Sequence, residues 1–118
     1  MDSDSPYSIN LDEAFDPLQL VDVRTLADGV EDRWYNQTLC RVNDCVVRPG
    51  VMQGEFHWHH YDEEDEFFYA IEGKFLIDLE EDRTIELAPR QESMVPKGVV
   101  HRTWAPERTA ILMTDPHR

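Results

Sequence analysis

The residues best suited to chemistry cluster in Gly54-Glu55-Phe56-His57-Trp58-His59-His60-Tyr61-Asp62-Glu63-Glu64-Asp65-Glu66. If Phe56–Tyr61 is a strand, side chains alternate faces. His57, His59 and Tyr61 then point one way, and Phe56, Trp58 and His60 the other. Two imidazoles at i and i+2 on an inward face, met by a carboxylate from the next strand, form a donor set suited to a borderline metal. A third imidazole, His101, follows the turn Pro96-Lys97-Gly98-Val99-Val100, which can bring the chain back to the same end of a barrel. The bland alternative for each histidine is a satisfied polar residue in a strand, and spacing alone leaves both readings open. The acidic run Asp62–Glu66 lacks the glycine and ligand spacing of a calcium loop. It reads as a solvated loop at the barrel mouth from which only Glu66 turns inward.

These side chains need strands to hold them, and the chain supplies a rhythm of short ones. β-rich runs occur at Leu18–Val23, Trp34–Val42, Cys45–Arg48, Glu55–Tyr61, Glu66–Glu72, Lys74–Glu80, Thr84–Leu87, Ser93–Val95, His101–Ala105 and Ala110–Thr114. Turn signals separate them at Arg48-Pro49-Gly50, Glu72-Gly73-Lys74, Glu80-Glu81-Asp82-Arg83, Ala88-Pro89-Arg90 and Pro96-Lys97-Gly98. No window carries a helical apolar stripe of three turns. The pattern predicts an all-β protein, an antiparallel sandwich or barrel over residues 18–118, preceded by an acidic arm over 1–17 that is extended or forms a short helix. In Glu66–Glu72 both faces are largely apolar: Glu66, Phe68 and Ala70 share one, and Phe67, Tyr69 and Ile71 the other. A partner subunit or the arm is therefore expected over the outer face. Phe68, Ala70, Leu76 and Met94 are the expected cavity lining.

The composition narrows the partners. With 25 Asp+Glu against 11 Lys+Arg, the 118 residues carry a formal charge of −14 and no basic stripe, so nucleic acid and anionic membranes are not expected partners. At 41% hydrophobic, the chain has the apolar content for one folded domain. No run approaches the ~18 apolar residues of a membrane span, and the acidic start has no signal-peptide pattern. A soluble, cytoplasmic protein is expected. Cys40 and Cys45, the 2 cysteines, are then expected as buried thiols rather than a bridge.

Two stretches resemble the small single-domain type-2 cupins. Glu66, the intervening Phe67–Glu72 and Gly73 match the second half of that family's first motif, and Pro96-Lys97-Gly98-Val99-Val100-His101 matches the end of its second. The resemblance covers roughly residues 45–114. Counting back from Glu66 puts the motif's two histidines at His59 and at Tyr61, so one expected imidazole is a phenol. The alternative pair, His57 and His59, lies too far from Glu66 for the pattern. Arg90 and Ala105 also depart from the second motif.

The resemblance implies an antiparallel β-barrel of the cupin or jelly-roll type. It also implies one divalent transition metal ion (Fe, Mn, Ni or Zn) held by His59, Glu66 and His101, with Tyr61 or His57 as a possible fourth ligand. Tyr61 and His57 are likewise the candidates for a general acid or base. The functions it leaves open are a metal-binding cupin that binds or acts on a small organic molecule in the barrel, a dioxygenase or metal-dependent isomerase or lyase, and a metal-free ligand-binding cupin. A homodimer is expected from the outward phase of Phe56 and Trp58.

Overall fold

A computed structural model describes residues 7–10, 15–31, 34–55 and 65–116. In chain order the elements are β1 (Tyr7–Asn10), α1 (Val23–Asp28), β2 (Trp34–Gln37), β3 (Cys40–Val42), β4 (Cys45–Glu55), β5 (Glu66–Glu72), β6 (Phe75–Leu79), β7 (Thr84–Leu87), β8 (Glu92–Val95) and β9 (His101–Pro116). The long strands β4 and β9 pair antiparallel from Cys45↔Pro116 to Glu55↔Trp104 and form the spine of the fold. The sheet runs β1-β2-β4-β9-β5-β8, with β3 added on β4, β6 on β9 and β7 on β6. Every described pairing is antiparallel except β1 with β2, which is parallel. Among the described residues the ladders do not close into a ring. The antiparallel all-β expectation holds.

β9 serves two ladders. Its start, His101–Trp104, pairs with β6, and its later part, Ala110–Thr114, pairs with β5. The switch coincides with a register shift opposite, between Met52 and Gly54 of β4, where Gly54 takes a φ of 109°. Such a bulge bends a strand and turns it from one sheet face to another. The inner face packs Met52, Phe68, Ala70, Phe75, Ile77, Leu87, Val95, Ala105, Ile111 and Met113 into one core. On the outer face α1 covers the far end of β5: Ala27 packs with Val51 and Ala110, joined by Val30, Tyr35 and Ile71. Arg108 fastens this helix, its Nη2 donating to the carbonyls of Ala27 and Val30 at 2.9 Å each.

The β5–β6 turn shows why its glycine is required. Gly73 has a φ of +87°, and a Cβ there would collide with the Thr109 hydroxyl and lie 2.7 Å from the Arg108 carbonyl. That hydroxyl accepts from the Lys74 amide at 3.0 Å, so the space is taken by a contact that closes the turn.

Several expectations need correction. Leu18–Val23 is not a strand: Leu18 sits exposed at a left-handed φ of 69°, and Val23 begins α1. Asp22 starts that helix by accepting the Thr25 amide at 3.0 Å. The six-residue helix is too short for a periodic stripe. Pro49-Gly50 is not a turn but lies within β4. Pro49 falls in the gap between the β3 ladder, ending at Val47, and the β2 ladder, starting at Gly50, where a missing N–H is tolerated. His101–Ala105 and Ala110–Thr114 are one strand, not two. Met94 pairs with the outward Phe67 and is 49% exposed, so it does not line the interior. Cys40 and Cys45 are exposed free thiols rather than buried ones, because they flank the Asn43-Asp44 hairpin tip.

Candidate functional site

Glu66 is the first residue of β5, and the strand's alternation buries it with Phe68 and Ala70 while Phe67, Tyr69 and Ile71 stay partly exposed. Glu66 is 4% exposed and pairs with Val95 of β8. Asp65, immediately before it, is exposed, as expected for the end of the acidic loop, and its Oδ1 accepts the Lys97 amide at 3.0 Å. That bond ties the start of β5 to the turn before β9. Gly98 in this turn has a φ of +81°, and a Cβ there would stand in open space, so its backbone conformation rather than crowding requires glycine. The Val99 amide donates to the Pro96 carbonyl at 3.3 Å, and β9 then opens with His101.

The two elements bring their first residues together. His101 Nε2 lies 3.0 Å from Glu66 Oε1, with side chains 1% and 5% exposed. His101 Nδ1 donates to the Val99 carbonyl at 2.9 Å. The Phe68 ring stands edge-on to the imidazole, centroids 6.3 Å apart. Because the carbonyl holds the proton on Nδ1, a neutral ring presents a lone pair from Nε2 to a carboxylate oxygen. Two lone pairs at this distance repel unless a positive species lies between them. A proton shared by the pair satisfies the geometry, and so does a metal cation. A Nδ1–H held by a carbonyl is also how a metal-ligating imidazole is oriented. The pair therefore fits a metal by the chemistry of its donors. Among the described residues no group of three or more His, Cys, Asp or Glu could hold a metal. His57, His59 and Tyr61, with Phe56, Trp58 and His60, lie outside the described residues.

A network one residue further along β9 holds His101 in place. Arg102 donates through Nε and Nη2 to Asp78 Oδ2 on β6, and the Thr84 hydroxyl of β7 donates to Asp78 Oδ1 at 2.9 Å. Burial works to raise the Asp78 carboxyl, but the Arg102 and Thr84 hydrogen bonds outweigh it and hold it below the usual carboxylate range.

The sequence reading singled out Glu66 and His101, and they meet. It did not single out a polar group on the inner wall of β2 and β4. Asn36 pairs with Gly50, and Arg48 pairs with Met113, both partners facing the core. Among the described residues, nothing hydrogen-bonds the buried Asn36 Oδ1 and Thr38 Oγ1. A period-two reading through Val46, Arg48, Gly50 and Met52 carried the signal for Arg48, but the Pro49-Gly50 turn reading interrupted it.

Comparison with known proteins agrees with this geometry. A sequence model described as "Cupin domain" matches residues 43–115. YdbB of Bacillus subtilis (strain 168), described as an uncharacterized protein, is 38% identical over 90 residues, 76% of this chain and 80% of that protein. A cupin-2 domain containing protein from Shewanella frigidimarina superposes with a TM-score of 0.77 at 26% identity, over 83% of this chain and 95% of that one. A cupin superfamily protein from Desulfitobacterium hafniense gives a TM-score of 0.66 at 19% identity, over 79% and 88% of the two chains, a likeness of fold alone.

Proposed function

This chain belongs to the cupin domain family, and on that premise we propose that it is a metal-binding single-domain cupin that binds or acts on a small organic molecule in its barrel. The observation that carries the reading is the buried Glu66–His101 contact, 3.0 Å long, with the Nδ1 proton of His101 committed to Val99. Glu66 and His101 would hold the ion together with His59, and Tyr61 or His57 would complete the shell. Such an ion supplies Lewis acidity toward an oxygen of the bound molecule. In this scheme the chain's own residues orient and shield. Val99 fixes the His101 ring, Phe68 covers its edge, and the Asp78–Arg102 pair anchors the strand that carries it. A dioxygenase or a metal-dependent isomerase or lyase would use the same donors.

Elemental analysis tests this. Protein produced with Fe, Mn, Ni and Zn available should carry about one equivalent of one of them per chain. His59→Ala, Glu66→Ala and His101→Ala should each lose most of it, and Tyr61→Phe should keep it. Loss in His57→Ala instead of His59→Ala would move the ligand pair by two residues. Wild-type protein carrying none of the four metals would leave the second reading, a metal-free ligand-binding cupin. That reading is favoured by the same contact, taken as a proton-bridged pair.

The protein is further proposed to be a cytoplasmic homodimer. Among the described residues no helix is long and apolar enough to cross a membrane. The outer row Met94–Phe67–Thr114–Val47 stays partly or fully exposed away from α1. Covering it with a second copy would bury on the order of 1,600 Å2. Light scattering should give a dimer at micromolar concentration, and Met94→Glu a monomer; a monomeric wild type would end this reading.

A further inference from the structure

The segment Asp16-Pro17-Leu18-Gln19-Leu20 breaks a local rule without any gain inside the chain. The Gln19 amide donates to the Asp16 carbonyl at 3.2 Å, and Gln19 Oε1 accepts the Asp16 amide at 3.1 Å, so the turn is closed from both sides. Proline at its second position and a φ of 69° at its third are those of a type II turn, where glycine or asparagine normally takes the third place. Here that place holds Leu18, a bulky residue for which a left-handed φ is strained. The strain secures no packing within the chain, since Leu18 and Leu20 are 107% and 89% exposed. A leucine fixed in a costly conformation, with its side chain wholly in solvent, is pre-organised for contact with something outside the chain.

The surface offers a counterpart. Among the described residues the other exposed large apolar side chains are Val42 and Met94, and both lie on the outer face of the sheet. Val42 pairs with Cys45, two residues before Val47 on the same face. Met94 ends the row Val47–Thr114–Phe67–Met94, which carries no charged residue. Three strand spacings make that row about 14 Å long. The turn stands at its Val47 end: the Phe15 amide donates to the Leu39 carbonyl at 3.3 Å, and the Leu39 amide to the Val47 carbonyl at 2.8 Å. The exposure of Leu18 and Leu20 shows that they do not lie on their own row. A stable dimer removes about 800 Å2 from each partner, more than two leucines present by themselves. The turn therefore needs an apolar seat, and a two-fold axis provides one. With the axis along the strands through the middle of the row, the Val47 end of one copy, and the turn beside it, comes over the Met94 end of the other.

We propose that Leu18 and Leu20 form a docking knob that seats on the Met94–Phe67 end of the outer row of a second copy of this chain, so that each copy gives and receives one knob. This rests on the homodimer reading and names the residues that close the dimer. The two leucines and the row are uncharged, which lets two copies of charge −14 meet there, and added salt strengthens the contact by screening their mutual repulsion. A second copy is the fitting partner because both complementary surfaces sit on one molecule, out of reach of each other. A two-fold axis occupies both at once.

Sedimentation velocity on the full chain tests this. Wild type should sediment as a dimer at micromolar concentration. Leu18→Lys should weaken the dimer by about a hundredfold, since it buries an unpaired charge in each seat. Leu18→Gly should weaken it by at least about tenfold through the loss of a buried leucine. Diluted to monomers, Leu18→Gly should nevertheless melt at or above wild type, because glycine relieves the left-handed φ. A leucine with a purely internal role would lower the melting temperature instead. Met94→Glu should also be monomeric. Mixing Leu18→Lys with Met94→Glu in equal amounts should restore a dimer, since one seat then pairs the introduced lysine with the introduced glutamate and the other seat is native. A dimer unmoved by Leu18→Lys and Leu18→Gly overturns the knob and leaves the homodimer reading intact. A mixture that stays monomeric overturns the seat on Met94 and Phe67 in the same way. If wild type is itself monomeric, both readings fall.

Discussion

A histidine with one nitrogen committed to a backbone carbonyl has one nitrogen left for chemistry, and in His101 that nitrogen faces Glu66. Removing one partner from a buried pair leaves the other without compensation, at a typical cost of about 3–5 kcal/mol. Glu66→Ala and His101→Ala should each destabilise the metal-free protein by that amount in urea unfolding. The double variant should cost at least about 1 kcal/mol less than their sum, since the residues are in contact. Adding the bound metal at a hundredfold excess over its Kd should stabilise the wild type by about 2.7 kcal/mol and neither single variant. Equal shifts in all three proteins would place the metal elsewhere. Glu66 and His101 were legible in the sequence because motif spacing follows directly from strand and turn lengths. The Val99 carbonyl and the orphaned Thr38 hydroxyl were not legible, since neither partnership nor its absence leaves a trace in residue type.

At the scale of elements, the turns that end on Glu66–Glu72 and precede His101 were readable because their glycines are conformationally forced. Gly73→Ala would have to place a methyl group on Thr109 at a φ of +87°. It should cost about 1–3 kcal/mol or more, read as a shift in urea midpoint. Where tertiary context overrode local signals, the sequence misled. Pro49-Gly50 reads as a turn until one knows that two separate ladders meet there, and α1 is helical because Asp22 caps it and Ala27 finds Val51 and Ala110. The β6–β7–β9 junction supplies a pH-dependent test. The Asp78 carboxyl is held below its usual range, so its contribution is present above the unfolded value, near 3.8, and is lost as pH falls through the lower folded value. Asp78→Asn should therefore melt lower than wild type at pH 7. The gap should close below pH 4, and a gap independent of pH would mean that shape rather than charge holds the junction.

Over the whole molecule, charge rather than packing sets the response to solvent. The surplus of acidic groups amounts to −14, and such self-repulsion destabilises a compact state. Among the described residues, surface pairs such as Lys74–Glu86, 3.9 Å apart, and Arg108–Glu72, 3.5 Å apart, are substantially exposed and individually weak. Pairs of that kind contribute about 0–1 kcal/mol each. Raising sodium chloride from about 10 mM to about 1 M shortens the screening length from about 30 Å to about 3 Å and suppresses both effects. The repulsion comes from a surplus of 14 negative charges over the whole chain, whereas each exposed pair is local and weak, so the net effect should be stabilisation. The melting temperature should rise by several degrees across this range, with most of the rise complete near physiological ionic strength, where the screening length is already about 8 Å. Chloride is the right anion for the measurement, because sulfate would strengthen apolar burial as well and blur the cause. A melting temperature that falls with added chloride would mean that local ion pairs outweigh the global surplus, and the acidic surface would then need another explanation than charge tolerance.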